Sequence, residues 1–198
     1  SHQWLDNVAP DLNAGRAALS WWLANDPATA AMMVIDIVDY WLIRSQTPEG
    51  ARWLADALAA MDESDPACPT VQSWLGGLCW AHGDIDGALR WSTAAVDSAE
   101  RHAQPFPAIA GTRLAVMAAF AADTDTARMW ADRTADAIEA DPTQRVYASS
   151  PLGVAYGLVG ETEKWRQWCA DGVDSGRRNG PARLSTALTN QLFMQNMR

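Results

Sequence analysis

Apolar residues along this chain recur at helical spacing. Nowhere do they alternate with polar ones over the run of about four to eight positions that a half-buried strand requires. A longer beat lies over the short one. Trp53, Trp91, Trp130 and Trp168 recur at intervals of 38, 39 and 38, and Pro27, Pro66, Pro105, Pro142 and Pro181 at intervals of 39, 39, 37 and 39. Two residue types sharing one period of this length predict an array of repeated supersecondary units.

The prolines mark helix starts. Asp26-Pro27, Asp65-Pro66 and Asp141-Pro142 set a carboxylate where it accepts from unpaired amides, followed by a residue with no amide hydrogen to leave unpaired. Gln104-Pro105 and Gly180-Pro181 are weaker versions. About half a period further on come Thr47-Pro48-Glu49, Gly83-Asp84, Asp123-Thr124-Asp125 and Gly160-Glu161, short breaks followed by acidic first turns. The pattern predicts helices near 9–25, 27–45, 48–63, 66–82, 84–102, 107–121, 124–140, 143–159, 161–178 and 182–196. This is an all-α fold, and such short connections force neighbouring helices antiparallel. Pro151 falls inside the eighth helix, where proline costs about 3 kcal/mol. A break or kink is expected there, with Ser149 and Ser150 capping a helix restarted at Pro151.

Within the unit, the first helix carries Leu75-Gly76-x-x-Cys79 and Leu152-Gly153-x-x-Tyr156; the second carries Ala88 with Ala95, and Ala127 with Ala131. Small residues let two helices approach, and large ones fill the space between units. These positions resemble the tetratricopeptide signature, whose period is about four residues shorter. Ile37-Val38-x-x-Trp41 and Leu114-Ala115 are partial versions. The resemblance implies antiparallel helix-pair repeats in a superhelix, about four of them plus terminal helices. The phased tryptophans then lie on second helices, where core packing is their expected use.

A more specific resemblance covers the N-terminal part of the chain, residues 1–60. Asn13-Ala14-Gly15-Arg16-Ala17-Ala18-Leu19-Ser20-Trp21, Tyr40-Trp41-Leu42-Ile43-Arg44 and Glu49-Gly50-Ala51-Arg52-Trp53-Leu54 resemble the start of a helical-repeat region in large bacterial LuxR-type transcriptional regulators, including relatives of the maltotriose-responsive activator. In that family a nucleotide-binding ATPase module precedes the repeats and a helix-turn-helix follows them. The repeats serve as a sensor or effector-docking arm. Gly15 interrupts the family's usual N-L-R-A-A-L run, and the chain has no G-x-x-x-x-G-K-[ST] phosphate loop; its only lysine is Lys164. The resemblance therefore implies ATPase and DNA-binding modules of the same chain outside this stretch, as its partners. Residues 1–3 read as a tag remnant and residues 4–198 as a single domain of a larger protein.

At 198 residues and 48% hydrophobic, the chain can bury a full core. Its 24 acidic and 15 basic residues give a net charge of −9, a field that repels phosphate backbones and anionic lipid and argues against direct nucleic-acid or membrane contact. Arg177-Arg178 and Arg183 are too few to reverse it. No apolar run approaches the roughly 18 to 20 residues of a bilayer span; that from Ala30 to Ile35 is stopped by Asp36. Cys68, Cys79 and Cys169, an odd count at unrelated spacings, read as reduced thiols of a cytoplasmic protein.

Transferring the tetratricopeptide register puts Asp39, Trp80, Thr112, Phe120, Tyr147 and Ser150 on a concave face, with Arg113 at its edge. Trp80 and Phe120 take adjacent register positions, so this face reads as an aromatic trough with a few polar groups for a protein segment or small-molecule effector. The alternative is that the rings are buried between helices. Arg113 alone, with Ile35, Asp39, Trp74 and Ile109 in the other places, argues against a carboxylate clamp. Cys79-x-x-His82 lacks the second pair that a metal needs, and Asp84/Asp86 and Asp123/Asp125 lack the glycine and closing glutamate of a calcium loop. Neither cofactor nor metal is expected. No G-x-S-x-G elbow or H-E-x-x-H helix occurs.

The reading is thus a non-catalytic, signal-sensing domain of a LuxR-type regulator. The alternatives are a stand-alone scaffold docking a partner peptide, and a dimerisation or spacer arm without ligand. Leu184, Leu188, Leu192 and Phe193 make the last helix apolar where a capping helix should be polar outside, so an end is expected to pack on a missing domain or on a second copy as a homodimer.

Overall fold

The structure, a computed structural model, describes residues 3–196. The tag remnant read at the start of the chain falls almost wholly outside them. The elements are α1 (Gln3–Asn25), α2 (Pro27–Asp36), α3 (Val38–Ile43), α4 (Thr47–Ala60), α5 (Cys68–Ala81), α6 (Ile85–Arg101), α7 (Ala108–Phe120), α8 (Thr124–Ala140), α9 (Arg145–Leu158), α10 (Thr162–Asn179) and α11 (Pro181–Asn196), with a 3₁₀ turn at Pro142–Gln144. Among the described residues there is no strand, and the fold is all-α. The chain forms two compact units, Ser1–Ser98 and Ala99–Arg198.

In the first unit, Asp26 caps α2 as its sequence predicts, accepting from the Thr29 amide at 3.1 Å and the Thr29 hydroxyl at 2.6 Å. Those two bonds hold its carboxyl below the usual range. The single helix expected over 27–45 is two helices, broken at Ile37 (φ −107°, ψ 23°). The cause is a competing donor. Trp41 Nε1 donates to the Val34 carbonyl at 3.1 Å, the acceptor that an unbroken helix would give to the Val38 amide. Four β-branched residues, Val34, Ile35, Ile37 and Val38, lower the helical preference around the break.

Trp41 has no exposed surface, meets Tyr40 edge-to-face at 5.3 Å, and joins Leu19, Val34, Leu54, Val71, Leu75, Leu78 and Ala88 in one core. Arg16 ties α1 to α4 through a fork onto Glu49 at 2.7 and 2.8 Å, which holds that carboxyl low. α5 begins at Cys68, two residues later than Asp65-Pro66 suggests. Asp65 instead closes a turn, accepting from the Ala67 amide at 2.8 Å, and Pro69 supplies the proline of the helix's first turn.

In the second unit, α7 opens after Pro107 with no local cap; the Ala108 amide donates to Gln144 Oε1 at 2.8 Å from the 3₁₀ turn. Asp123 caps α8 through the Thr126 amide at 3.1 Å. α9 runs through Pro151 without restarting, contrary to the break expected from its sequence. Ser149 donates to the Arg145 carbonyl at 2.8 Å and Ser150 accepts from Asn190 at 3.0 Å, so neither caps a new helix. Burial holds the helix together. Leu152, Val154, Ala155 and Tyr156 sit in the core, and at about 1.5–3 kcal/mol for each large side chain they outweigh one missing bond.

α9, α10 and α11 approach closely at glycines. A Cβ on Gly153 would lie 2.7 Å from Cys169 Sγ, and one on Gly176 would lie 2.7 Å from the Leu184 backbone. Enclosure there pushes the Cys169 thiol up to about 11.

One turn recurs through both units. Ser45, Gly83, Ala122 and Gly160 adopt positive φ of 54°, 89°, 59° and 83°. The amide after each donates to the carbonyl five residues back, Gln46 to Trp41, Asp84 to Cys79, Asp123 to Ala118 and Glu161 to Tyr156, all at 2.9 or 3.0 Å. This is the Schellman ending of a helix. The four turns repeat at intervals of 38, 39 and 38, and each stands eight places before a phased tryptophan. A similar turn at Ala103 (φ 51°) ends α6 off this beat. Glycine fits the left-handed region without the penalty that a Cβ brings. Ala122→Gly is therefore expected to raise unfolding free energy by about 1 kcal/mol and Gly83→Ala to lower it by about as much, read from urea unfolding curves. Equal stabilities would mean that these residues are not left-handed.

Candidate functional site

The residues that the sequence assigns to a trough fall in different surroundings. In the first unit, Asp39 is in the first turn of α3, half-buried, and Trp80 lies near the end of α5 with part of its ring against the core. In the second unit, Thr112 and Ser150 are buried. The Thr112 hydroxyl donates to the Ala108 carbonyl at 2.6 Å, and Ser150 is met by Asn190 of α11. Tyr147 is half-buried beneath the Arg183 guanidinium, 3.9 Å from its ring centre. Tyr147 and Ser150 thus come together under α11. Arg113 is half-buried on α7, whereas Phe120, at the end of α7, is 55% exposed. Phe120 is the candidate with a large open ring, and it stands two residues before the Ala122 turn.

The phased tryptophans pack inward, each with a guanidinium beside one face. Arg52 lies 5.4 Å from the Trp53 ring centre and Arg90 5.4 Å from that of Trp91, both rings resting on the first unit's core. In the second unit Trp130 stacks on Phe106 at 6.3 Å, and Arg133 covers both rings while pairing with Glu100 at 2.5 Å. Trp168 is buried, with Arg145 at 5.8 Å held by Asp171 at 3.0 Å. Stacking of guanidinium on indole contributes about 0.5–1 kcal/mol at partly exposed positions, so these arginines belong to the scaffold.

One polar node joins residues that no sequence motif links. The Tyr156 hydroxyl donates to Asp132 Oδ1 at 2.7 Å, and Lys164 Nζ reaches the same oxygen at 2.8 Å while lying 4.7 Å from the Tyr156 ring. Burial and the adjoining carboxylate push the phenol well above its ordinary range. Partial burial works to raise Asp132, but the bonds from Lys164 and Tyr156 prevail and hold it low. Arg128 pairs with Glu161 at 3.2 Å nearby. The last residue of Leu-Gly-x-x-Tyr therefore joins α8 to α9 and α10, and the one lysine is committed to a carboxylate. The recognisable signal was the signature tyrosine itself; its acidic partner, 24 residues away, had none.

All three thiols are buried, and burial, followed by Asp65, Asp62 and Glu63, raises that of Cys68. His82 Nδ1 is 2.7 Å from the Leu78 carbonyl of its own helix. Among the described residues, no three His, Cys, Asp or Glu side chains gather as a metal site, and no helix is long and apolar enough to cross a membrane. No protein-family model and no curated protein matches the chain.

Proposed function

We propose that this chain is a non-catalytic, tetratricopeptide-like helical-repeat domain of a bacterial LuxR-type regulator, binding a protein segment or a small-molecule effector. The observation that carries the repeat is the left-handed turn recurring at intervals of 38, 39 and 38, eight places ahead of each phased tryptophan. Independent turns have no reason to keep that phase; copies of one helix pair must.

Support for the regulator assignment comes from Arg16 and Glu49. They belong to two separate segments that resemble that family, and they pair bidentately. The binding role is supported by Phe120, exposed beside its turn, and by Trp80, partly open at the equivalent end of α5. An effector would act by favouring one packing of the helices over another, and only to the extent that its affinities for the two differ.

Thermal melts of the chain against panels of metabolites and short peptides test this. A true ligand at a hundredfold its Kd adds about 2.7 kcal/mol, which for a chain of this size is a rise of about 5 °C or more. Phe120→Ala should cut that rise by at least half without lowering the melt of the free protein, with Trp80→Ala and Arg113→Ala as further variants. A ligand whose shift survives all three substitutions binds elsewhere.

A further inference from the structure

α11 lies over two of the residues that the sequence assigns to the concave face. Its Asn190 donates to the Ser150 hydroxyl at 3.0 Å, and the Arg183 guanidinium sits 3.9 Å from the centre of the Tyr147 ring. Tyr147 and Ser150 are three residues apart on α9, so both contacts fall on one side of that helix. A segment of the chain itself therefore fills this end of the trough.

The hold on that segment is slight. Eight of the fourteen residues of α9 are buried, whereas among the described residues of α11 only Ala187 and Met194 are. Leu188, Leu192 and Phe193 turn to solvent. The contacts to Ser150 and Tyr147 are polar and cationic, and water replaces such contacts at little net cost. A helix with so few enclosed apolar side chains opens well before its domain unfolds. Its base suits such a motion. Gly180 joins α10 to α11 at φ 107° and ψ 170°, a conformation essentially restricted to glycine, and nothing lies within 4 Å of its position for a Cβ. One or a few residues at the end of an element suffice for a hinge.

We propose that α11 is an autoinhibitory strap, seated over Tyr147 and Ser150 and swinging out about Gly180 to admit a partner. The inference rests on the trough reading above and names its occupant. That occupant is a helical protein segment that imitates α11, with a cation for the Tyr147 ring and a hydrogen-bond donor for Ser150 two turns further along. The segment gains the site only by displacing the tethered helix.

Gly176 provides the lever for a test. A Cβ there would stand 2.7 Å from Leu184 Cα and 2.8 Å from its amide nitrogen. Gly176→Ala thus pushes α11 off α10, leaves Tyr147 and Ser150 unaltered and favours the helical state of α10. Hydrogen exchange of the full chain, read by mass spectrometry, is expected to run at least tenfold faster over residues 184–196 than over α9, and at least tenfold faster again in Gly176→Ala. A labelled peptide of residues 181–198 then reports the vacated site by fluorescence anisotropy. The tethered helix competes at an effective concentration on the order of 1 mM, so the unaltered chain should bind the peptide weakly. Gly176→Ala should bind it at least tenfold more tightly, and adding Tyr147→Ala should remove most of that gain. Arg183→Ala with Asn190→Ala, which sets no new methyl against backbone, should give a smaller gain in the same direction. Circular dichroism checks that the helices of each variant are intact. Exchange in α11 as slow as in α9, no gain in peptide binding by either opened variant, or a gain indifferent to Tyr147→Ala overturns the proposal. No effector enters these measurements, so a failed ligand panel leaves their result standing, and a firmly seated α11 leaves Phe120 as the site.

Discussion

Trp41→Ala is expected to destabilise the first unit by about 3–5 kcal/mol, the largest effect of any single truncation in that unit. The indole has no exposed surface and is among the largest fully buried side chains among the described residues. Two losses add. The ring leaves a cavity between α3 and α4, where Gly50 has no Cβ with which to fill it; a Cβ there would stand 2.9 Å from the ring. The Val34 carbonyl also loses the indole donor at 3.1 Å, and an acceptor stranded in the core costs about 1–3 kcal/mol. Against the roughly 5–15 kcal/mol that holds a typical domain folded, the variant should lose between about a fifth and all of its stability and unfold at a clearly lower urea concentration. Urea denaturation followed by circular dichroism reads this directly, and a loss under about 1 kcal/mol would show that the indole is not enclosed.

Gly172→Ala is the second large effect, and its sign runs against helix propensity. In an open helix, replacing glycine with alanine gains about 1 kcal/mol. At Gly172 the new methyl would sit 2.7 Å from Ser150 Cβ, 2.9 Å from its Cα and 3.0 Å from its amide nitrogen. Two of those three atoms are backbone, so relief requires α9 and α10 to separate along a shared buried seam. The expected net loss is about 2–3 kcal/mol, and larger for Gly172→Val. Gly15 provides the contrast. Nothing lies within 4 Å of its position for a Cβ, so Gly15→Ala should be neutral or stabilising on the same unfolding curves. If both substitutions behave alike, the close approach of α9 and α10 is wrong.

Local chemistry made much of the fold legible. Asp26 and Asp123 cap helices because the amides they serve lie three residues away, within reach of a sequence window. Gly83 and Gly160 advertise their turns by composition. Ser45 and Ala122 carry no such mark, and only the structure shows that they share the conformation. The misses share a cause. The split between α2 and α3 follows from an indole folding back on a carbonyl, the cap of α7 from a glutamine 36 residues distant, and the continuity of α9 from burial by its neighbours. None of these is a property of a short window.

The candidate trough was less legible for a related reason. Threonine and serine on a helix suggest a polar face, yet Thr112, Ser73, Ser92, Thr134 and Ser149 each donate to the carbonyl four residues back and are buried. A hydroxyl satisfied by its own helix enters a core at little cost, so polarity stops reporting exposure. Phe120 errs the other way, an aromatic ring left largely in solvent.

What the sequence by itself determined is the helical class and the phase: hydrogen bonds of a helix and its caps span three to five residues, and a beat set by the spacing of like residues survives any arrangement of the helices. What only the tertiary structure decided is which side of each helix is enclosed and which charges meet. Glu49 faces Arg16, Asp132 faces Lys164, and Asp171 faces Arg145, pairs far apart along the chain, because through-space proximity, not chain order, sets the strength of a contact.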